Sequence, residues 1–369
     1  MHPNSAVAYA LATPATPATL DALVRQHAAL AIEAQADPSA TPASDSAYDV
    51  AWALARRLGF IEADAAVIAQ AWDRRSAREG HWRADWPDDP LDFGLGTAAA
   101  ATQPGSAAAR PAATSSPPPF APHPDGLGLY AVLPNAAWVQ RMAAAGVPTL
   151  QLRYKPSANP GPGTPPEAAS SATNTPSASS AQAAAQPSTE VQADVLAQVR
   201  AAVAAVAGTT SRLYINDHWQ AAIEAGAYGV HLGQEDLDAL APEALDALRA
   251  AGLRLGISTH GYAELLRAAA LRPSYIALGA VFPTTLKAMP TAPQGCARLR
   301  AYAQPLARLR PAIPTVAIGG IDLEHLGAIA ASGVGSFAVV RALTASPDPA
   351  AAAHSLQRCW AELSPLTGA

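Results

Sequence analysis

Two short polar runs sit inside apolar segments of the 369-residue chain, and their residue types suit phosphate chemistry. Asn216-Asp217-His218 follows Arg212-Leu213-Tyr214-Ile215, and His231-Leu232-Gly233-Gln234-Glu235-Asp236 follows Tyr228-Gly229-Val230. Each run begins where a buried strand should stop. Carboxylates at neighbouring strand ends can share one divalent cation, and that cation can hold a diphosphate. Strand C-termini are also where parallel-sheet proteins gather their sites.

Other apolar segments end in the same way. Gln151, Arg153 and Lys155 alternate, so their side chains leave one face of an extended chain. Ser258, Thr259 and His260 close another segment, and Pro283, Thr284, Thr285 and Lys287 a third. Gly319-Gly320 and Val340-Arg341 follow the last two. Each residue has an ordinary alternative. Asp217 could cap the next helix, His231 could be a hydrogen-bonded core histidine, and Arg153 and Lys155 could form a solvated edge. Gathered on one face, however, the cations attract phosphate and the carboxylates repel it unless a metal intervenes, which points to a metal-bound phosphorylated ligand. Oxygen ligands without thiolates favour Mg2+ over zinc. The turns at Gly319-Gly320 and Val340-Arg341 suggest a second phosphate site built mainly from backbone N–H groups. Two substrates with separate anionic handles fit this layout.

The elements that must position these groups alternate along the chain. Apolar segments predict strands at 127–133, 148–153, 212–216, 228–232, 253–257, 274–279, 314–318 and 335–340. Helical periodicity predicts helices at 135–145, 190–207, 218–226, 242–251, 261–270, 294–309 and 322–332, with a last one near 350–361. Continuous apolar strands imply burial on both faces, and eight strand–helix units fit a closed (β/α)8 TIM barrel of class α/β better than an open sheet. Ala145-Gly146, Ala225-Gly226 and Ala251-Gly252 each end a helix where glycine can take positive φ.

Before the barrel, 1–96 reads as a small helical module, disordered in part, with helices over 20–34, 48–58 and 62–74. Trp72, Trp82, Trp86 and Phe93 are expected to form an aromatic cluster. The Ala/Ser/Pro/Gly tract 97–124 has almost no bulky side chains and reads as a flexible linker, too loose to pass geometry from the module to the strand ends. The barrel domain then covers 125–369, interrupted at 156–189 by a low-complexity insertion of the kind a loop tolerates. A formal net charge of −5 argues against a general nucleic-acid binder but leaves room for a local phosphate site. Cys296 and Cys359 are too few for a disulfide framework. Neither a secretory signal nor a membrane span is evident, so a cytoplasmic protein without a membrane partner is expected. A homo-oligomer remains open.

At the strand ends the chain resembles the thiamine phosphate synthase (thiamine-phosphate pyrophosphorylase) family. The matching runs are Gln151-Leu152-Arg153-Tyr154-Lys155, Ile215-Asn216-Asp217, Gly229 to Asp236, Gly256-Ile257-Ser258-Thr259-His260, Gly279 to Thr284 and Ile318-Gly319-Gly320-Ile321. They span about 127–345, apart from the insertion. The resemblance implies that a 4-amino-2-methyl-5-hydroxymethylpyrimidine diphosphate loses pyrophosphate and that its methylene is captured by the nitrogen of a thiazole phosphate, or of its carboxylate form. It implies Asp217 and Asp236 as Mg2+ ligands and Arg153, Lys155, Ser258 and Lys287 as the catalytic groups. Gln151, Arg153, Lys155, Asn216, His231, Ser258 and Lys287 would meet the pyrimidine diphosphate or its leaving group. Thr284, Thr285, Leu286, Gly320, Val340 and Arg341 would lie at the thiazole phosphate. Leu286 stands where the family usually has threonine, and Arg341 where it usually has serine. A thiazole tautomerase of the same family is one alternative. The Gln/Arg/Lys and Asn-Asp runs favour the synthase, because a tautomerase has no diphosphate to bind. A non-catalytic phosphate-ligand-binding regulatory barrel is another, and Asp217, Asp236 and Lys287 argue against it.

Overall fold

The computed structural model describes residues 17–96, 117–123, 126–156, 188–284 and 292–363. The expected disorder at the N-terminus, most of the linker, most of the insertion, and Thr285, Leu286 and Lys287 lie outside them.

Parallel strands β1 (Gly128–Leu133), β2 (Thr149–Leu152), β3 (Arg212–Asn216), β4 (Gly229–Leu232), β5 (Arg254–Thr259), β6 (Tyr275–Gly279), β7 (Thr315–Ile318) and β8 (Ser336–Val339) close into a barrel in sequence order. Every strand lies within two residues of its expected limits. Helices α1 (Pro17–Gln26), α2 (Ala47–Arg57) and α3 (Glu62–Glu79) precede the barrel. Around it run α4 (Ala136–Ala144), α5 (Thr189–Val206), α6 (Trp219–Glu224), α7 (Gln234–Ala239), α8 (Pro242–Ala250), α9 (Tyr262–Ala270), α10 (Gly295–Arg308), α11 (Leu326–Ala331), α12 (Arg341–Thr344) and α13 (Pro349–Leu363). Gly146, Gly226 and Gly252 follow α4, α6 and α8 with positive φ, as the Ala-Gly pairs require.

Three local expectations need correction. The first helix stops at Gln26, because His27 leaves the helical region (φ −103°, ψ 18°) and its ring bonds Ala84 O at 2.8 Å. Helix α3 continues past Arg74 to Glu79, where Gly80 in the left-handed region ends it. The segment 322–325 is a 3-10 turn opened by Asp322, whose side chain accepts from Glu324 N, so α11 begins only at Leu326.

Strand periodicity sorts the barrel into two apolar regions. Leu129, Ala131 and Leu133 of β1 face outward and join the helices in the main core. Tyr130 and Val132, between them, face inward and pack with Tyr214, Tyr275, Ala277, Val316 and Ala338. This is the period-2 alternation of a barrel whose centre is filled with side chains. Tyrosines fit there because two neighbouring positions carry none. A Cβ on Gly256 would stand 2.0 Å from Tyr275 Cζ, and one on Gly229 would stand 2.5 Å from Tyr214 Cε1. The next inward position on each strand, two residues on, carries a polar group: Asn216 after Tyr214, His231 after Gly229, Ser258 after Gly256. The apolar plug thus becomes the floor of a polar site.

The N-terminal module shares the barrel's main core, with Leu54, Phe60 and Trp72 in the same cluster as Leu255 and Leu278. The expected aromatic cluster forms: Trp72 stacks on Trp82 (5.3 Å) and meets Trp86 edge-on (5.2 Å). Phe93 instead stacks on Tyr262 of α9 at 5.0 Å. Residues 117–123, inside the tract read as a linker, also pack on the barrel. Phe120 is buried, and Pro118, Ala121 and Pro122 accept hydrogen bonds from Arg249, Ser274 and Arg254. The low-bulk composition concealed this contact because it is made mostly by backbone carbonyls.

Candidate active site

Asp217 takes φ +63°, a left-handed turn that costs a non-glycine residue about 1–3 kcal/mol. Its N–H donates to His231 O (3.1 Å), and Trp219 N donates to Asp217 O (2.8 Å), so the turn is held from β4 and by its own helix. In that turn the carboxylate meets two partners. Lys155 Nζ donates to its Oδ2 at 2.6 Å, and Asp236 lies within hydrogen-bonding contact. Burial pushes the Asp217 carboxyl up, but the hydrogen bond and charge of Lys155, together with the contact to Asp236, hold the group below the ordinary value. Asp236 is pushed above its ordinary value by burial and by the negative Asp217, despite the hydrogen bond its Oδ2 accepts from Gly233 N (2.9 Å). Two carboxylates pressed together call for a proton or a cation between them.

Around this pair, Gln151 Nε2 donates to Asn216 Oδ1 at 2.6 Å, both residues being buried. Arg153 is half-buried and Lys155 exposed. His231 bonds Ser258 Oγ through Nε2 (2.8 Å) and the Tyr275 hydroxyl through Nδ1 (2.7 Å). Burial drives His231 down to about 4, so the ring is neutral at pH 7. Tyr275 OH also bonds Tyr130 OH (2.7 Å), and Gln234 Nε2 donates to Ser258 O (2.7 Å). A hydrogen-bonded file therefore runs from the buried Tyr130, Tyr275 and His231 to the half-buried Ser258. Sequence reading missed its lower half. Tyr130 and Tyr275 look like ordinary apolar strand residues until inward and outward positions are separated.

The other half of the face is shaped by backbone. Gly319 and Gly320 both have positive φ, and a Cβ on Gly320 would stand 2.6 Å from Pro283 O. Val281 N donates to Ile318 O (2.9 Å) and Phe282 N to Gly319 O (3.0 Å), which holds the chain after β6 against the turn after β7. Thr284 is half-buried beyond it. Val340 and Arg341 lead from β8 into α12.

The structure thus unites Gln151, Lys155, Asn216, Asp217, His231, Asp236 and Ser258 by direct or shared contacts. It places Arg153, Thr284, Gly320, Val340 and Arg341 at strand ends of the same face. Among the described residues no three His, Cys, Asp or Glu side chains are grouped to hold a metal. Asp217 and Asp236 form a pair, and two carboxylates with the rest of the shell left to phosphate and water is the oxygen-rich arrangement Mg2+ takes. The donor set fits the ion.

A (β/α)8 barrel whose C-terminal face carries paired carboxylates, a facing lysine and glycine turns is of the phosphate-handling barrel class. A family model described as thiamine monophosphate synthase matches residues 129–343, and the chain belongs to that family. A thiamine-phosphate synthase from Neisseria meningitidis is 46% identical over 241 residues, covering 65% of this chain and 98% of that protein. One from Shigella sonnei is 47% identical over 63% of this chain and 90% of its own. A solved thiamine phosphate pyrophosphorylase from Pyrococcus furiosus is 22% identical over 64% of this chain and 97% of its own, with a TM-score of 0.47.

Proposed function

We propose that the chain is a transferase that joins 4-amino-2-methyl-5-hydroxymethylpyrimidine diphosphate to a thiazole phosphate, giving thiamine phosphate and pyrophosphate. The observation that carries this reading is the convergence of Lys155, Asp217 and Asp236 beside the Gln151–Asn216 pair. Such a set suits a diphosphate with a divalent cation, and the similar proteins carry the synthase name. A tautomerase would have no use for it.

The chemistry asks for binding more than for a nucleophile. The methylene C–O bond breaks, the electron pair leaves with pyrophosphate, and the thiazole nitrogen forms the new C–N bond. Asp217 and Asp236 would hold Mg2+, which when bound would neutralise charge on the diphosphate. Lys155 and Arg153 add charge-assisted hydrogen bonds to the leaving group, and Lys287 is assigned the same task. Neutral His231 holds Ser258 Oγ in place without adding a charge near the developing methylene cation. Gln151 and Asn216 orient the pyrimidine. Thr284, Thr285 and the turns at Gly320 and Val340-Arg341 bind the thiazole phosphate, where Leu286 removes one hydroxyl and Arg341 adds a cation. Holding both rings in contact converts a two-substrate reaction into a local one.

Among the described residues no helix is long and apolar enough to cross a membrane, and Cys296 and Cys359 are free thiols. A reducing cytoplasmic setting suits both. The test is to incubate the purified chain with both phosphorylated rings and Mg2+ and to measure thiamine phosphate and pyrophosphate. Equimolar products are expected. Conversion of a thiazole isomer without pyrophosphate release would assign the tautomerase instead.

A further inference from the structure

The family match begins at residue 129, so helices α1–α3 lie outside it. Two side-chain connections nevertheless join that module to the loops at the catalytic face. Docking alone would need only an apolar surface. These connections use a buried carboxylate and a buried guanidinium, groups that are stable inside a protein only when their partners are in place.

The first connection is Asp64 of α3, which is 4% exposed. Its Oδ1 accepts from Ala263 N at 2.9 Å, in the first turn of α9. The local N-cap position is Gly261, which has no side chain to do this. A Cβ there would stand 2.1 Å from Asp64 Oδ2. A residue about two hundred positions away in sequence thus caps the helix that follows β5. From α9, Glu264 Oε2 accepts from His260 N (2.8 Å) and bonds His260 Nδ1 (2.7 Å). This ties the cap to the strand end carrying Ser258 and Thr259.

The second is Arg298 of α10, which is 2% exposed. Nε donates to Leu30 O and Nη2 to Leu58 O, both at 2.8 Å and both in the module. The guanidinium also lies 3.7 Å from the Phe60 ring centre. Its third donor, Nη1, reaches Gln294 Oε1 at 3.2 Å. Gln294 N then donates to Ala280 O, and Gly295 N to Val281 O, both at 2.9 Å. Those carbonyls immediately precede Phe282–Thr284. Trp86 Nε1 donates to Tyr262 OH (2.9 Å), and that hydroxyl donates to Ala301 O of α10 (3.0 Å), which joins the module, α9 and α10.

We propose that the N-terminal module is an intramolecular buttress in which Asp64 and Arg298 are positioning residues, setting the chain after β5 and the chain after β6 for the two phosphorylated rings. The inference rests on the synthase reading for what those segments bind.

The test uses the full-length chain with Asp64→Ala, Asp64→Asn, Arg298→Lys and, as a surface control on the module, Asp37→Ala. Hydrogen–deuterium exchange is followed in peptides spanning 258–266 and 278–284, alongside KM and kcat for each ring. Asp64→Ala is expected to speed exchange in 258–266 about fivefold and to raise KM for the pyrimidine diphosphate roughly tenfold. Asp64→Asn keeps an acceptor for Ala263 N and should return both to near parental values. Arg298→Lys loses the planar fork and should speed exchange in 278–284 and raise KM for the thiazole phosphate. A role in stability alone would lower the melting temperature and leave both KM values in place. Parental exchange and parental KM in folded Asp64→Ala and Arg298→Lys would overturn the proposal. If Asp64→Ala does not fold, Arg298→Lys decides by the same readouts. A parent chain without turnover would sink the synthase reading, and exchange alone would then decide the buttress.

Discussion

Replacing Gly256 by alanine should disrupt the floor of the site from inside the barrel. The added Cβ would stand 2.0 Å from Tyr275 Cζ and 2.3 Å from Tyr275 OH, against a normal carbon–carbon contact of about 3.5–4.0 Å. Gly256 and Tyr275 are register partners on β5 and β6, so the backbone has little room to yield. The ring must therefore retreat by roughly 1.5 Å. Its hydroxyl is held by Tyr130 OH and His231 Nδ1, both at 2.7 Å. A retreat of that size takes both bonds beyond useful geometry. Overpacking costs about 1–3 kcal/mol, and each buried polar group left without a partner about 1–3 kcal/mol more. With Tyr130 OH and His231 Nδ1 both left without a partner, the sum is about 3–9 kcal/mol, a large share of a typical folding free energy. Urea unfolding of parent, Gly256→Ala, Tyr275→Leu and the double variant measures it. The double variant should lose less than the sum of the singles, because leucine vacates the space the new methyl needs. A Gly256→Ala protein within about 1 kcal/mol of the parent, with additive energies, would refute the packing of the tyrosine floor.

Three further outcomes are expected. Tyr275→Phe removes the hydroxyl between Tyr130 and His231. It should cost about 1–3 kcal/mol and shift the His231 imidazole nitrogen resonances, which report the hydrogen bond at Nδ1; unchanged resonances would remove Tyr275 from the file. Asp217→Asn and Asp236→Asn should each raise the Mg2+ concentration for half-maximal turnover about tenfold or more, and a parental magnesium titration in either folded variant would reject that residue as a ligand. Asp64, pushed up to about 6 by burial, with Arg298 acting in the opposite direction and Glu264 in the same one, holds its proton more tightly folded than unfolded. Its contribution is therefore fully present below pH 4 and lost as pH rises through 6, a change on the order of 3 kcal/mol. The stability difference between parent and Asp64→Asn across pH 4–7 should show that slope, and a flat difference would reject a buried, raised Asp64.

The barrel was legible because apolar runs of strand length alternated with helical periodicity, and each strand's end was marked by a change to polar residues. Asn216-Asp217 and the run from His231 to Asp236 could be located for the same reason. What could not be read was anything set by contacts across the barrel. Tyr275 gives no local sign that its hydroxyl supports His231, since the partner Gly256 that makes room for it lies on another strand. The position of Asp217 depends on a left-handed turn, and its lowered carboxyl depends on Lys155 from the end of β2; neither is a property of the Asn-Asp-His run. The module was harder still. Its composition suggests an appendage, and the tract at 97–124 suggests a loose tether. Yet a helix cap at α9 is missing locally and supplied by Asp64, and a buried guanidinium at Arg298 finds its acceptors on Leu30 and Leu58. Sequence reading singles out neither Gly261, which has no side chain to cap α9, nor Arg298 within α10. Each becomes intelligible only when the other chain segment is laid against it. Local chemistry writes the strand ends of this site, whereas the supports behind them are written in pairs of residues far apart along the chain.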